Sequence, residues 1–103
     1  MTLVTVFHQN KRDYFADLLG LDMPTDDMRK VAWFHTDLPR RQALEEAVRL
    51  TSHQGAPWPL RKDIHAEPGT HRSTLVGDVV VFEKQAFQMV EQGWKRLNKF
   101  AAG

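Results

Sequence analysis

The spacing of apolar positions changes several times along the chain, and each change marks an element. In "TLVTVFH" (2–8), Leu3, Thr5 and Phe7 alternate with Val4, Val6 and His8, and the β-branched content predicts a strand. After Asn10 the period lengthens: Phe15, Leu18 and Leu19 share one face, Asn10 stands at an N-cap position with Asp13 three residues on, and Gly20 supplies a stop. This predicts a short helix of about two turns. Residues 22–29, "DMPTDDMR", read as a solvated connection. "KVAWFHTD" (30–37) is apolar on both faces, through Val31, Ala32, Trp33 and Phe34, as expected of a central strand. Thr36 or Asp37 then caps a helix over residues 39–53, with Pro39 in its first turn and Leu44, Ala47, Val48 and Thr51 recurring at helical spacing. Gly55 and Pro57 end it.

Residues 54–72 carry three prolines and two glycines, with Trp58 between two of the prolines, and predict a long loop of functional or poorly ordered character. In "HRSTLVGDVVVF" (71–82), Gly77 supplies a bend, Ser73 and Thr74 bond locally to the backbone, and a strand runs over 78–83. A tight connection near Lys84 and Gln85 leads into "AFQMVEQ" as the second arm of an antiparallel hairpin. "GWKRLNKFAAG" is a further short strand or a helical turn. Together the elements predict an α+β fold: one domain over residues 1–103, with a small mixed or antiparallel sheet of four to five strands and two helices mainly on one face. Phe7, Phe15, Trp33, Phe34, Phe82 and Phe87 are the expected aromatic core.

Composition narrows the chemistry. Of 103 residues, 42% are hydrophobic and 26% charged, and the formal net charge is +1, so no global field drives the protein onto nucleic acid or an anionic membrane. The absence of cysteine excludes disulfides, thiolate ligands and cysteine nucleophiles, and fits a reducing cytoplasm. No export signal or membrane span is read. Five histidines (His8, His35, His53, His65 and His71) raise the question of a metal. No HxH or HExxH spacing answers it, so no metal and no cofactor is expected. His8 and His35 become neighbours only if their strands pair in a suitable register.

The order of elements resembles the YodL-like domain and its actinobacterial relatives. The residues that carry the resemblance are "VTVFHQ", the unit "VAWFHTDLPRRQALEEAVRLTSH", and "HRSTLVGDVVVF" followed by "AFQMVEQGWKRL". Members of that family carry a small polar run before a "VGDVV"-type strand, then a hairpin and an aromatic segment. "QGWKRL" (92–97) stands at the last, with Glu91 and Gln92 where the family has its serine and first aromatic. The resemblance implies an accessory protein of a phage, plasmid or integrative element, acting on a host system, and supplies no catalytic residues.

The expected function is therefore non-catalytic: a binding protein that occupies a host macromolecular surface, a protein or nucleoprotein complex, as an anti-defence inhibitor of the anti-CRISPR kind would. Trp58 and Trp94, with Arg61, Lys62, Arg72 and Arg96, form the candidate contact set, because exposed tryptophan and arginine dominate binding hot spots. The alternative is a small RNA- or DNA-binding domain that gathers the dipeptides Lys11-Arg12, Arg29-Lys30, Arg40-Arg41, Arg61-Lys62 and Lys95-Arg96 into one patch. Ser73 lacks a GxSxG context, so an active-site reading of 71–82 requires Ser73, Asp78 and an imidazole to meet at the floor of a cleft.

Overall fold

A computed structural model describes residues 1–10, 25 and 27–100. Its strands are β1 (Thr2–Gln9), β2 (Met28–Thr36), β3 (His65–Ala66), β4 (Val79–Phe82), β5 (Gln85–Val90) and β6 (Gly93–Leu97), and its helix is α1 (Arg40–Leu50). They form one six-stranded sheet in the order β3-β2-β1-β4-β5-β6, antiparallel at every pairing. The class is α+β as expected, but the strand count exceeds the predicted four to five. β3 accounts for one of them: two residues inside the long loop pair with Ala32 and Trp33, too short to leave a periodic trace. Among the described residues there is one α-helix. The helix predicted for 10–20 lies almost wholly outside them, although Asn10 and Asp27, which flank that stretch, are joined by backbone and side-chain hydrogen bonds of 3.1 and 2.7 Å.

The main core lies between α1 and one face of the sheet. Val4 and Val6 from β1, Val31, Ala32 and Phe34 from β2, Val80 and Phe82 from β4 and Phe87 from β5 pack against Ala43, Leu44, Ala47 and Leu50. Both Val31 and Ala32 join this cluster because the β1/β2 register shifts between Val6 and Phe7, a bulge that turns two successive side chains toward one side. On the opposite face a smaller cluster of Phe7, Val79 and Ala86 is flanked by Met28, Val81, Leu97 and Phe100.

Two local expectations change. Neither Thr36 nor Asp37 caps α1. Pro39 is the N-cap and its carbonyl accepts from Ala43, while Thr36 Oγ1 accepts from the Leu38 amide and closes a small turn ahead of the helix. The β4–β5 connection has Glu83 and Lys84 at φ 50° and 67°. Two-residue hairpin turns need this left-handed backbone to match the strand twist, a role in which Asn-Gly is favoured, and each non-glycine residue there costs about 1 kcal/mol. The sequence offers no Asn or Gly at this connection, and the turn forms at Glu83 and Lys84 under strain.

Candidate functional site

The stretch from His71 to Asp78 carries a dense set of hydrogen bonds to distant segments. Gly77 adopts φ 100° and bends the chain into β4, as its position in the sequence predicts. Of the polar residues ahead of it, however, His71 and Thr74 are buried and Arg72 and Ser73 half-buried. Asp78, with no exposed surface, accepts from both terminal nitrogens of Arg72 at 2.6 and 2.9 Å, from the Gln9 amide at 3.0 Å and from the Leu75 amide at 2.8 Å. With four donors, two of them from a guanidinium, this carboxylate makes charge-assisted bonds that tie β1, β4 and the intervening loop together. On β5, Gln88 donates to the Gly77 carbonyl at 3.1 Å and closes the far side of the bend.

A hydroxyl chain runs beside it. Thr51 Oγ1 lies 2.6 Å from the Ala47 carbonyl, which can only accept, so the Thr51 proton goes there. Thr74 Oγ1, 2.6 Å from Thr51 Oγ1, must then donate to it. That leaves Thr74 as the acceptor for His8 Nε2 at 2.8 Å, so His8 carries its proton on Nε2. His8 Nδ1 is consistent with this assignment, because it has no hydrogen-bond partner among the described residues. The Nε2 proton also faces Asp78 Oδ2 at 3.8 Å.

An aspartate, an imidazole and a hydroxyl do meet here, but not as a catalytic relay. Asp78 and Thr74 both approach the same ring nitrogen, whereas a relay needs the acid on one nitrogen and the nucleophile on the other. His8 and Asp78 are fully buried, so no cleft opens onto them. Ser73 faces elsewhere, its Oγ accepting from the His53 amide at 2.9 Å. The group is a buried lock joining α1's end, β1 and β4.

Burial lowers the His8 pKa from its ordinary 6.5 to about 4, against the opposing pull of Asp78. The folded protein therefore stays unprotonated at His8 while the unfolded chain takes up a proton. The resulting penalty is absent above pH 6.5, grows as pH falls toward 4, and is constant below that. It amounts to about 3 kcal/mol at its limit. His8→Gln, which keeps a donor for Thr74 but does not titrate, is expected to flatten urea-unfolding free energy between pH 6.5 and 4. An undiminished slope in that variant would show that other groups govern it.

The sequence-predicted contact residues are not gathered into one patch. Trp58 is 1% exposed: it lies in a 3-10 turn (Trp58–Leu60), donates its indole N–H to the Arg72 carbonyl at 2.7 Å and stacks on His71. It anchors its loop and cannot be an exposed hot spot. Arg72 is likewise engaged with Asp78 in the lock. Arg61 is held by a two-pronged hydrogen bond to Asp63, both at 2.9 Å, which raises the guanidinium pKa and lowers that of the carboxyl. Lys62 and Arg96 are exposed, and Trp94 is half-buried against the core's edge. Trp33, predicted as core, is also half-buried: it stands on the face away from α1, stacked on His65 with ring centroids 3.9 Å apart and edge-on to His35. His8 and His35 are not neighbours, since the β1/β2 register opposes His8 to Arg29 and His35 to Leu3. No family model matches the chain, and neither does any curated protein or solved structure.

What the anchored loop presents is a residue that sequence reasoning passed over. Leu60 is 73% exposed at the end of the 3-10 turn, beside Arg61 and Lys62. The turn beneath it is fixed by Trp58, by the Trp58 amide donating to His53 Nδ1 at 3.0 Å, and by the Arg61 amide bonding back to the Trp58 carbonyl at 3.0 Å. A hollow of about 220 Å³ under this turn is lined by Ser52, Pro57, Leu60 and Arg61, among others. One helical turn back, Val48 lines a second hollow of about 240 Å³ against Met89, Val90 and Trp94. Ser52 Oγ donates to the Val48 carbonyl at 2.6 Å, which links a residue of the first hollow to one of the second. Among the described residues no group of three or more histidines and carboxylates is placed to hold a metal, and no helix is long and apolar enough to cross a membrane.

Proposed function

We propose that the protein is a non-catalytic binding module that occupies a surface of a partner macromolecule through the stripe running from Leu60 across Val48 and Ser52 to Trp94. The observation that carries this reading is Leu60, a large apolar side chain left 73% exposed on a loop whose backbone is fixed from below by a buried tryptophan. A preorganised loop loses little conformational freedom on binding, and an exposed leucine on it supplies an apolar centre with a polar rim in Arg61 and Lys62. The resemblance of residues 72–81 to the YodL-like domain supports a setting inside a host cell. There a mobile element's accessory protein would occupy a host protein or nucleoprotein complex, as an anti-defence inhibitor does.

A pull-down from host lysate tests the reading. Wild type is expected to retain a partner that Leu60→Asp loses by tenfold or more, with the unfolding free energy of the variant unchanged within about 0.5 kcal/mol. Equal retention by both proteins, or retention of nothing by wild type, would reject it.

Direct nucleic-acid binding is the second reading, favoured by one observation: the ring stack of Trp33 and His65 faces out beside Lys30, over a hollow of about 350 Å³. The basic dipeptides support it less well than their spacing implies. Neighbours on a strand point to opposite faces, so Arg29 and Lys30 are divided, as are Lys95 and Arg96.

A further inference from the structure

We infer that the hollow beside Trp94 takes an arginine side chain from the partner, an assignment that rests on the binding reading above and deepens it. The hollow has apolar walls, Val48, Met89, Val90 and Trp94, and among the described residues the charged ones that line it are two carboxylates, Glu45 and Glu91. That combination matches a guanidinium on a flexible apolar stem. The stem lies along the aliphatic walls, the planar head stacks on the indole, and the carboxylates accept its N–H groups.

The carboxylates are open to such a partner. Among the described residues Glu91 forms no ion pair, and it stands exposed in the β5–β6 turn. Glu45 meets only Arg41, four residues back on α1, at 3.8 Å, with 90% of the Arg41 side chain and 64% of the Glu45 side chain in solvent. An exposed pair of this length is weak and readily exchanged. Arg40 lies over the Phe87 ring at 5.3 Å, and Arg96, two residues beyond Trp94 on the same face of β6, stands opposite Phe87; neither lines the hollow. An anionic segment would meet two carboxylates in this hollow, and a purely apolar one would leave Glu91 without a counter-charge.

Two capped pentapeptides, identical except for arginine or its neutral isostere citrulline at the centre, separate shape from charge. They are titrated into the labelled protein while the indole N–H resonances are followed by NMR, that of Trp94 being identified by its loss in Trp94→Phe. The arginine peptide is expected to move the Trp94 resonance and the Gly93 amide. Citrulline should bind at least about fivefold more weakly, and Glu91→Gln should weaken the arginine peptide by a similar factor. Equal binding of the two peptides, no change in Glu91→Gln, or shifts confined to Trp33 would overturn the assignment. If the lysate partner is lost with Leu60→Asp but held equally by Glu91→Gln, the interface stands and the arginine assignment falls.

Discussion

Arg72→Met is expected to cost about 3–5 kcal/mol of folding free energy, the usual penalty for stranding one partner of a buried charge pair. The reason lies with Asp78. Its carboxylate has no exposed surface, and in this variant it keeps two backbone amides but loses both guanidinium bonds, of 2.6 and 2.9 Å. A domain of this size has a total stability of about 5–15 kcal/mol, so the shift in urea midpoint will be large. The pairing also predicts non-additivity. Arg72→Met with Asp78→Leu should cost less than the sum of the two single variants, because the double variant strands no charge. A strictly additive double variant, or an Arg72→Met protein as stable as wild type, would mean that Arg72 is a surface residue free to serve a partner.

Trp58→Ala is expected to be comparably destabilising, by about 3–5 kcal/mol, as for other truncations of large buried aromatics. The side chain belongs to the main core and sits against His71 and His8. Trp58→Phe isolates the polar part: most of the packing is kept while the Arg72 carbonyl loses its 2.7 Å donor, at a cost of about 1–3 kcal/mol. Loss of partner binding in Trp58→Ala therefore reports on folding, not on contact, and should be accompanied by loss of the native near-ultraviolet signal. Were Trp58→Ala folded with an unchanged urea midpoint, the anchoring role would be wrong.

These two residues show how far the sequence carries. Alternation in β1 placed His8 on the face of Val4 and Val6, and that face is the core face, so burial of His8 was readable from its period. Its partner was not, because Thr74 reaches it from 66 residues away, backed in turn by Thr51, and no local pattern encodes such a meeting. The bend at Gly77 and the strand after it were legible from the glycine and the apolar run. Arg72 and Trp58 were misread for a shared reason: arginine and tryptophan in a proline-rich loop look like contact residues, and only tertiary contact shows them turned inward. Leu60 lacked any signal of its own, being one apolar residue in a loop. Its significance comes from the rigidity of the turn that carries it.

The wider lesson concerns which letters of the 71–78 stretch are available for recognition. His71 is nearly buried and bonds the Glu67 carbonyl at 2.8 Å, Ser73 and Thr74 hold α1's end, and Arg72 and Asp78 hold each other. A run that looks like a motif for chemistry is consumed by structure, and under the proposed binding reading recognition falls to the Leu60 turn and the Trp94 hollow.

Hydrogen exchange on the complex recovered from lysate tests this division most directly. The account predicts new protection at residues 58–62 and 90–94, while the amides of Gln9 and Leu75, already bonded to Asp78, exchange as slowly in the free protein as in the complex. Protection confined to β2 and β3 around Trp33, or a lock that becomes protected only when the partner binds, would contradict it.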